Sequence, residues 1–241
     1  MPSAVVLVHG LRTSATMWRH QIESLQDRNI PVTAIDLPGH GRRMGERFTL
    51  ENALETIGDA VAAASAEGSR PYLCGFSLGG YLSIEWAARN PGAISGLLAA
   101  SCGTTPNRAV LEGWRILARG IHALPDRGRG LNDFMVRMFV PRVGAEDVLA
   151  GGVALEVMDD VLRALRPVKP VRSLARIGEP VLFVNGRLDH FRLDARRYLA
   201  AAANGRLVTV AGATHMVSIV KPDRFTQLLL DGYAEAGRIT G

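Results

Sequence analysis

The sequence predicts an α/β fold: a mostly parallel central sheet with helices on both faces, and a helical cap inserted after the strand near residues 94–100. Three observations predict it. Short β-branched runs closed by turn residues alternate with stretches of helical spacing. One such run leads through Gly75-Phe76-Ser77-Leu78-Gly79 straight into a helical pattern. The alternation stops between Thr104 and about Ile177, where only helical patterns occur, and resumes at Val181.

In chain order, Val5 to Val8 and Val32 to Ile35 read as buried parallel strands. Between them Trp18, Ile22 and Leu25 mark one face of a helix over Trp18 to Gln26. Leu50, Leu54, Ile57 and Val61 mark a second amphipathic helix, which Thr49 is suited to cap. Tyr72 to Cys74 is the next strand, Tyr81 to Asn90 the helix that follows, and Ile94 to Ala100 the strand after that. Pro91-Gly92 ends that helix. Helices are then expected over Val110 to Leu124, Leu131 to Phe139 and Val148 to Leu165, punctuated by Pro125, Pro141, Pro167 and Pro170. So short a helical insert needs the rest of the chain to bury its apolar faces. The expected organisation is therefore a core of residues 1–103 and 178–241 with a cap of residues 104–177. Pro180 to Val184 and Leu207 to Val210 are the last strands, and Arg224 to Ala236 a closing helix with Phe225, Leu228 and Leu229 inward.

The Gly-x-Ser-x-Gly turn carries the chemistry. A serine on a tight strand-to-helix turn is held in a strained conformation with its hydroxyl lifted clear of the sheet. Such a nucleophile needs a base, and the base an orienting carboxylate. Asp189 follows the run Pro180 to Val184, and His215 follows Leu207 to Val210. Both stand where loops leave the C-terminal ends of strands, the rim on which parallel sheets assemble their sites. Asp194 is the rival acid but is expected to open the next helix, and His190 the rival base, although adjacency to Asp189 should point the two side chains apart. His9 and His40 read as supports of turns, and Asp36 as a carboxylate holding a loop together.

Taken together these residues resemble the α/β-hydrolase superfamily, in its single-domain, cap-bearing form. Val5-Val6-Leu7-Val8-His9-Gly10 is similar to the family's first core strand and oxyanion turn, Asp36-Leu37-Pro38-Gly39-His40-Gly41 to the loop after the next strand, and Gly75 to Gly80 to its nucleophile elbow. The resemblance covers essentially the whole chain. It implies Ser77 as nucleophile, His215 as general base and acid, Asp189 as orienting acid, and the backbone N–H groups of Leu11 and Leu78 as oxyanion donors. It implies a serine hydrolase of esterase or lactonase type, acting through an acyl-enzyme and without a cofactor. Esterases, lactonases, cofactor-free haloperoxidases and C–C bond hydrolases share this arrangement, and some relatives are non-catalytic receptors, so those readings stay open. Leu11, where haloperoxidase-like members usually carry an aromatic residue, favours ester chemistry.

Composition narrows the partners. Of 241 residues, 28 are Lys or Arg and 23 Asp or Glu, for a formal charge of +5, and only Lys169 and Lys221 are lysines. Acidic residues interleave with the arginines and no aromatic–basic stripe occurs, which argues against nucleic acid. No apolar run approaches the roughly 18 residues of a membrane span, and no secretory leader is evident, so a cytoplasmic location is expected. Cys74 and Cys102 read as two buried thiols. No spacing suggests a metal site. The expected substrate is a small or medium, largely apolar ester or lactone, with a β-dicarbonyl ketone as the alternative. Phe76, Trp114, Leu117, Met135, Met138, Phe139 and Met158 are the candidate substrate contacts, and Arg115, Arg119 and Arg137 the arginines available for a carboxylate. Monomer and homodimer are both compatible with the sequence.

Overall fold

The computed structural model describes residues 2–66 and 68–239. Six strands form one parallel sheet: β1 (Val5–Val8), β2 (Val32–Ile35), β3 (Tyr72–Phe76), β4 (Gly96–Ala100), β5 (Val181–Gly186) and β6 (Gly205–Val210). Their spatial order is β2-β1-β3-β4-β5-β6. β1, β3, β4 and β5 are buried along their whole length, which is why they read as apolar runs without polar alternation. β2 and β6 are the edges and are only partly buried.

Eleven α-helices are present among the described residues. In the core, α1 (Arg19–Gln26), α2 (Leu50–Ala64) and α3 (Leu78–Arg89) lie between the first strands in sequence. The Thr49 hydroxyl caps α2 by accepting from the Asn52 N–H at 3.1 Å. Trp18 belongs to a 3-10 turn over Ala15–Trp18 rather than to α1 itself, yet it is fully buried. β3 runs two residues further than expected, to Phe76, and β4 starts at Gly96 instead of Ile94.

Between β4 and β5 lies the helical cap: α4 (Arg108–His122), α5 (Arg129–Phe139), α6 (Arg142–Ala150), α7 (Met158–Ala164) and α8 (Pro170–Leu174). The single helix expected over Val148 to Leu165 is two, because the chain breaks at Gly151-Gly152, where Gly152 has φ +75°. The prolines start helices as well as ending them: Pro141 stands at the N-cap of α6 and Pro170 in the first turn of α8. Leu111, Val161, Leu162 and Leu165 of this region share one hydrophobic cluster with Val6, Val8 and Leu73 of the sheet, so the cap has no separate core there. Polar ties add to this: Arg19 of α1 bonds Asp147 of α6 at 2.6 Å. The chain closes with α9 (Ala195–Ala201), α10 (Val217–Val220) and α11 (Pro222–Ile239), the last burying Phe225, Leu228 and Leu229. No helix among the described residues is long and apolar enough to cross a membrane.

Candidate active site

Ser77 sits between β3 and α3 with φ +51° and ψ −113°, a conformation that costs a non-glycine residue energy and persists only where its surroundings enforce it. The enforcement is visible. The Ser77 N–H donates to Ala100 O at 2.8 Å and the Gly79 N–H to His9 O at 3.1 Å, pinning the turn to β4 and to the loop after β1. A Cβ on Gly75 would stand 2.4 Å from Gly79 O, and one on Gly79 2.4 Å from Val8 O. Only glycine permits both approaches.

The Ser77 Oγ lies 3.0 Å from His215 Nε2, and His215 Nδ1 lies 3.0 Å from Asp189 Oδ1. The carboxylate only accepts, so Nδ1 carries the ring proton and Nε2 presents its lone pair to the serine hydroxyl. Burial alone would raise the Asp189 carboxyl above its ordinary value. The His215 hydrogen bond and charge, with a 2.8 Å bond from the Phe191 N–H, outweigh burial and hold it below. The loops carrying acid and base are knitted together: Leu188 N–H donates to Ala213 O at 2.9 Å, and the Ser101 hydroxyl to His215 O at 2.8 Å. Among the described contacts, the N–H groups of Leu11 and Leu78 have no protein acceptor. Both residues line the same cavity as Ser77.

That cavity is about 280 Å³ and is walled by Leu111, Trp114, Met158, Val161, Leu162, Leu165 and Phe191, with Arg12, His190 and His215 among its polar members. A larger cavity of about 500 Å³, lined by Phe48, Arg129, Asp133 and Arg137 among others, contains none of Ser77, Asp189 or His215.

Of the candidate substrate contacts, Trp114 and Met158 line the cavity beside Ser77. Leu117, Met135 and Met138 do not. They are 52%, 46% and 57% exposed, because α4 turns Leu111, Arg115 and Ala118 inward and α5 turns Asn132 and Val136. The side chain of Phe139 lies outside the described residues. Phe76 is fully buried and is not a wall of the cavity; its ring packs 5.2 Å from that of His215 and against the face of Gly10. Arg115 is also corrected: it is spent on Glu112 at 2.8 Å and Asp159 at 2.7 Å. Arg137 borders the larger cavity and not this one.

The rival base and acid both lie close to the site. His190 makes no hydrogen bond to Asp189 among the described contacts; its ring lies 5.5 Å from that of His215 and lines the cavity, and burial followed by the His215 charge lowers its pKa. Asp194 opens α9 at its N-cap position, as expected, but its carboxylate reaches across to the Thr105 N–H at 2.7 Å and not to the helix. Asp36 holds its loop, accepting from the N–H groups of Ala15 and Arg42 at 2.8 and 3.1 Å. His9 accepts the Leu37 N–H at Nε2 and bonds Gly10 O through Nδ1. Burial, then the neighbouring His40, pushes it down to about 3. Arg12, which sequence reasoning passed over, follows Leu11 directly and is the charged arginine of the cavity. Among the described residues no group of three or more His, Cys, Asp or Glu is placed to hold a metal ion.

The sheet order, the elbow and the inserted cap define an α/β-hydrolase architecture, and residues 5–228 match the alpha/beta hydrolase family. The chain belongs to that family. It is similar to a pimeloyl-[acyl-carrier protein] methyl ester esterase of Methylococcus capsulatus, 38% identical over 111 residues that are 46% of this chain and 40% of that one. Over more of its length it is similar to 3-oxoadipate enol-lactonase 1 of Acinetobacter baylyi, at 27% identity covering 93% of this chain and 86% of the relative. Its fold is shared by a carboxylesterase structure from the thaumarchaeon Nitrososphaera gargenis, with a TM-score of 0.81, 19% identity, and 98% and 92% of the two chains covered.

Proposed function

We propose that the protein is a serine hydrolase that cleaves a small or medium carboxylic ester or lactone through an acyl-enzyme. One observation carries this reading: an unbroken hydrogen-bonded line from Ser77 through His215 to Asp189, each link 3.0 Å, opening on an apolar cavity. The relatives named as a methyl ester esterase and an enol-lactonase support the reaction class.

In the proposed reaction Ser77 Oγ attacks the carbonyl carbon while His215 Nε2 takes its proton. The carbonyl oxygen becomes negative between the Leu11 and Leu78 N–H groups, whose freedom from other acceptors suits them to that charge. Asp189 keeps the proton on Nδ1 and stabilises the imidazolium, which then protonates the leaving alkoxide. Water deprotonated by the same imidazole releases the acid. A cavity of about 280 Å³ suits a compact substrate. Residues 104–177 act in this scheme as the cap that excludes water, over a core of residues 1–103 and 178–241.

The test compares wild type and Ser77→Ala on short p-nitrophenyl esters, alkyl lactones and a vinylogous β-diketone, with fluorophosphonate labelling read by mass spectrometry. Ester or lactone turnover is expected, falling at least about 10⁴-fold in the variant, with the label on Ser77. Turnover retained by Ser77→Ala, or cleavage of the diketone alone, overturns the proposal.

A further inference from the structure

Arg12 is the one acidic or arginine/lysine side chain among the residues lining the cavity, and the proposed reaction does not use it. Its backbone is held at φ +67°, in the left-handed region that a side-chain-bearing residue rarely adopts. It lines the cavity that contains Ser77 and His215. One of its terminal nitrogens, Nη2, donates to the Asn132 side-chain oxygen of α5. Its Nε is buried without any hydrogen-bond partner. Among the described residues it makes no ion pair, in contrast to Arg115, whose guanidinium is matched by two carboxylates. No Asp or Glu lines this cavity, and its walls are chiefly apolar, Trp114, Val161 and Leu162 among them. Burial lowers the Arg12 pKa, the mark of a cation short of solvent.

A half-buried cation without a counter-charge is costly, and an arginine fork fits a carboxylate through two parallel N–H bonds. We propose that Arg12 is a specificity residue that receives a carboxylate of the substrate. The ester or lactone cleaved at Ser77 would then carry a second, free carboxylate remote from the bond that breaks. This deepens the hydrolase reading and rests on it. Asn132 holds the fork in place from the cap side through one Nη2 N–H, which leaves the remaining guanidinium N–H groups, the unpartnered Nε among them, for the ligand.

The experiment uses half methyl esters of succinic through suberic acid, each paired with the methyl alkanoate of equal length, on the full chain. Wild type is expected to prefer at least one half-ester over its neutral partner in kcat/KM. Arg12→Met should collapse that ratio by roughly 30-fold or more, chiefly through KM, while Arg12→Lys keeps part of it. Asn132→Ala should retain the preference, because the guanidinium remains. The proposal is overturned if no half-ester is preferred, if Arg12→Met leaves the ratio unchanged, or if Asn132→Ala abolishes it equally, which would make Arg12 a strut between loop and cap. Should wild type cleave none of the esters, the hydrolase reading fails on its own. Calorimetry with the free dicarboxylic and monocarboxylic acids then decides for Arg12: tighter dicarboxylate binding that Arg12→Met abolishes supports the site, and equal binding overturns it.

Discussion

Replacing Gly79 by alanine tests the link between fold and site directly. The new Cβ would stand 2.4 Å from Val8 O, 2.6 Å from His9 O and 2.8 Å from Val8 C. Reaching the 3.4 Å of ordinary contact needs about 1 Å of movement at Val8 O. β1 cannot supply it, because Val8 is paired on both sides, to Ile35 of β2 and Gly75 of β3. The start of α3 must therefore retreat, and it carries Ser77 and the Leu78 N–H with it. The strain should cost about 1–3 kcal/mol of stability, and a displacement of about 1 Å at the reacting groups about 100-fold in turnover. Gly113→Ala in α4 is the control: nothing lies within 4 Å of its Cβ, so the same chemical change should add about 0.5–1 kcal/mol. Urea titrations and p-nitrophenyl ester turnover of the two variants provide the comparison. A Gly79→Ala protein with wild-type midpoint and rate would refute the close approach on which the elbow depends.

Asp189→Asn should fold normally yet lose about 10⁴ in turnover, since an amide no longer enforces the proton on His215 Nδ1; a loss under tenfold would contradict this. Acid should unfold the protein through His9 and His40, which burial pushes to about 3 and 4 with rings 5.0 Å apart. Both folded values lie below the unfolded one near 6.5, so the unfolded chain binds more protons and stability falls as pH drops from about 6.5 towards 4, by on the order of 5 kcal/mol. The lowered Asp189 adds a loss in the same direction below about pH 4. Urea midpoints that stay flat from pH 6.5 to 4 would be incompatible with two neutral buried imidazoles. Cys74 and Cys102 are free and fully buried, and burial raises both thiols, so iodoacetamide should label neither in the native protein and both in urea. Rapid native labelling of either would count against the packing around β3 and β4.

The strands and the line from Ser77 to Asp189 were legible because their signals are local: a buried parallel strand needs a continuous apolar run, and an elbow needs its two glycines. The cap was read less well for a physical reason. Apolar spacing marks a helix face but not which neighbour it meets, and α4 buries Arg115 on its inner stripe while leaving Ile116 and Leu117 exposed. The two carboxylates that permit this come from one turn away and from α7. Arg12 escaped because it follows a residue with a recognised part, Leu11, and which way a loop side chain points is settled by tertiary packing; His190 was in view as the rival base, but its place in the cavity wall was not. The helix break at Gly151-Gly152 coincides with a glycine pair, a signal that ordinarily punctuates helical spacing.

Residues 77 and 215 are 138 positions apart, and the imidazole hangs from the loop after β6, the edge strand laid down last. A chain emerging from the ribosome thus completes its serine turn long before the partner that can draw off the hydroxyl proton has been made. On the proposed mechanism reactivity is withheld until residue 215 has been added, and a product truncated ahead of Gly205 would carry an inert alcohol however well its first five strands had formed.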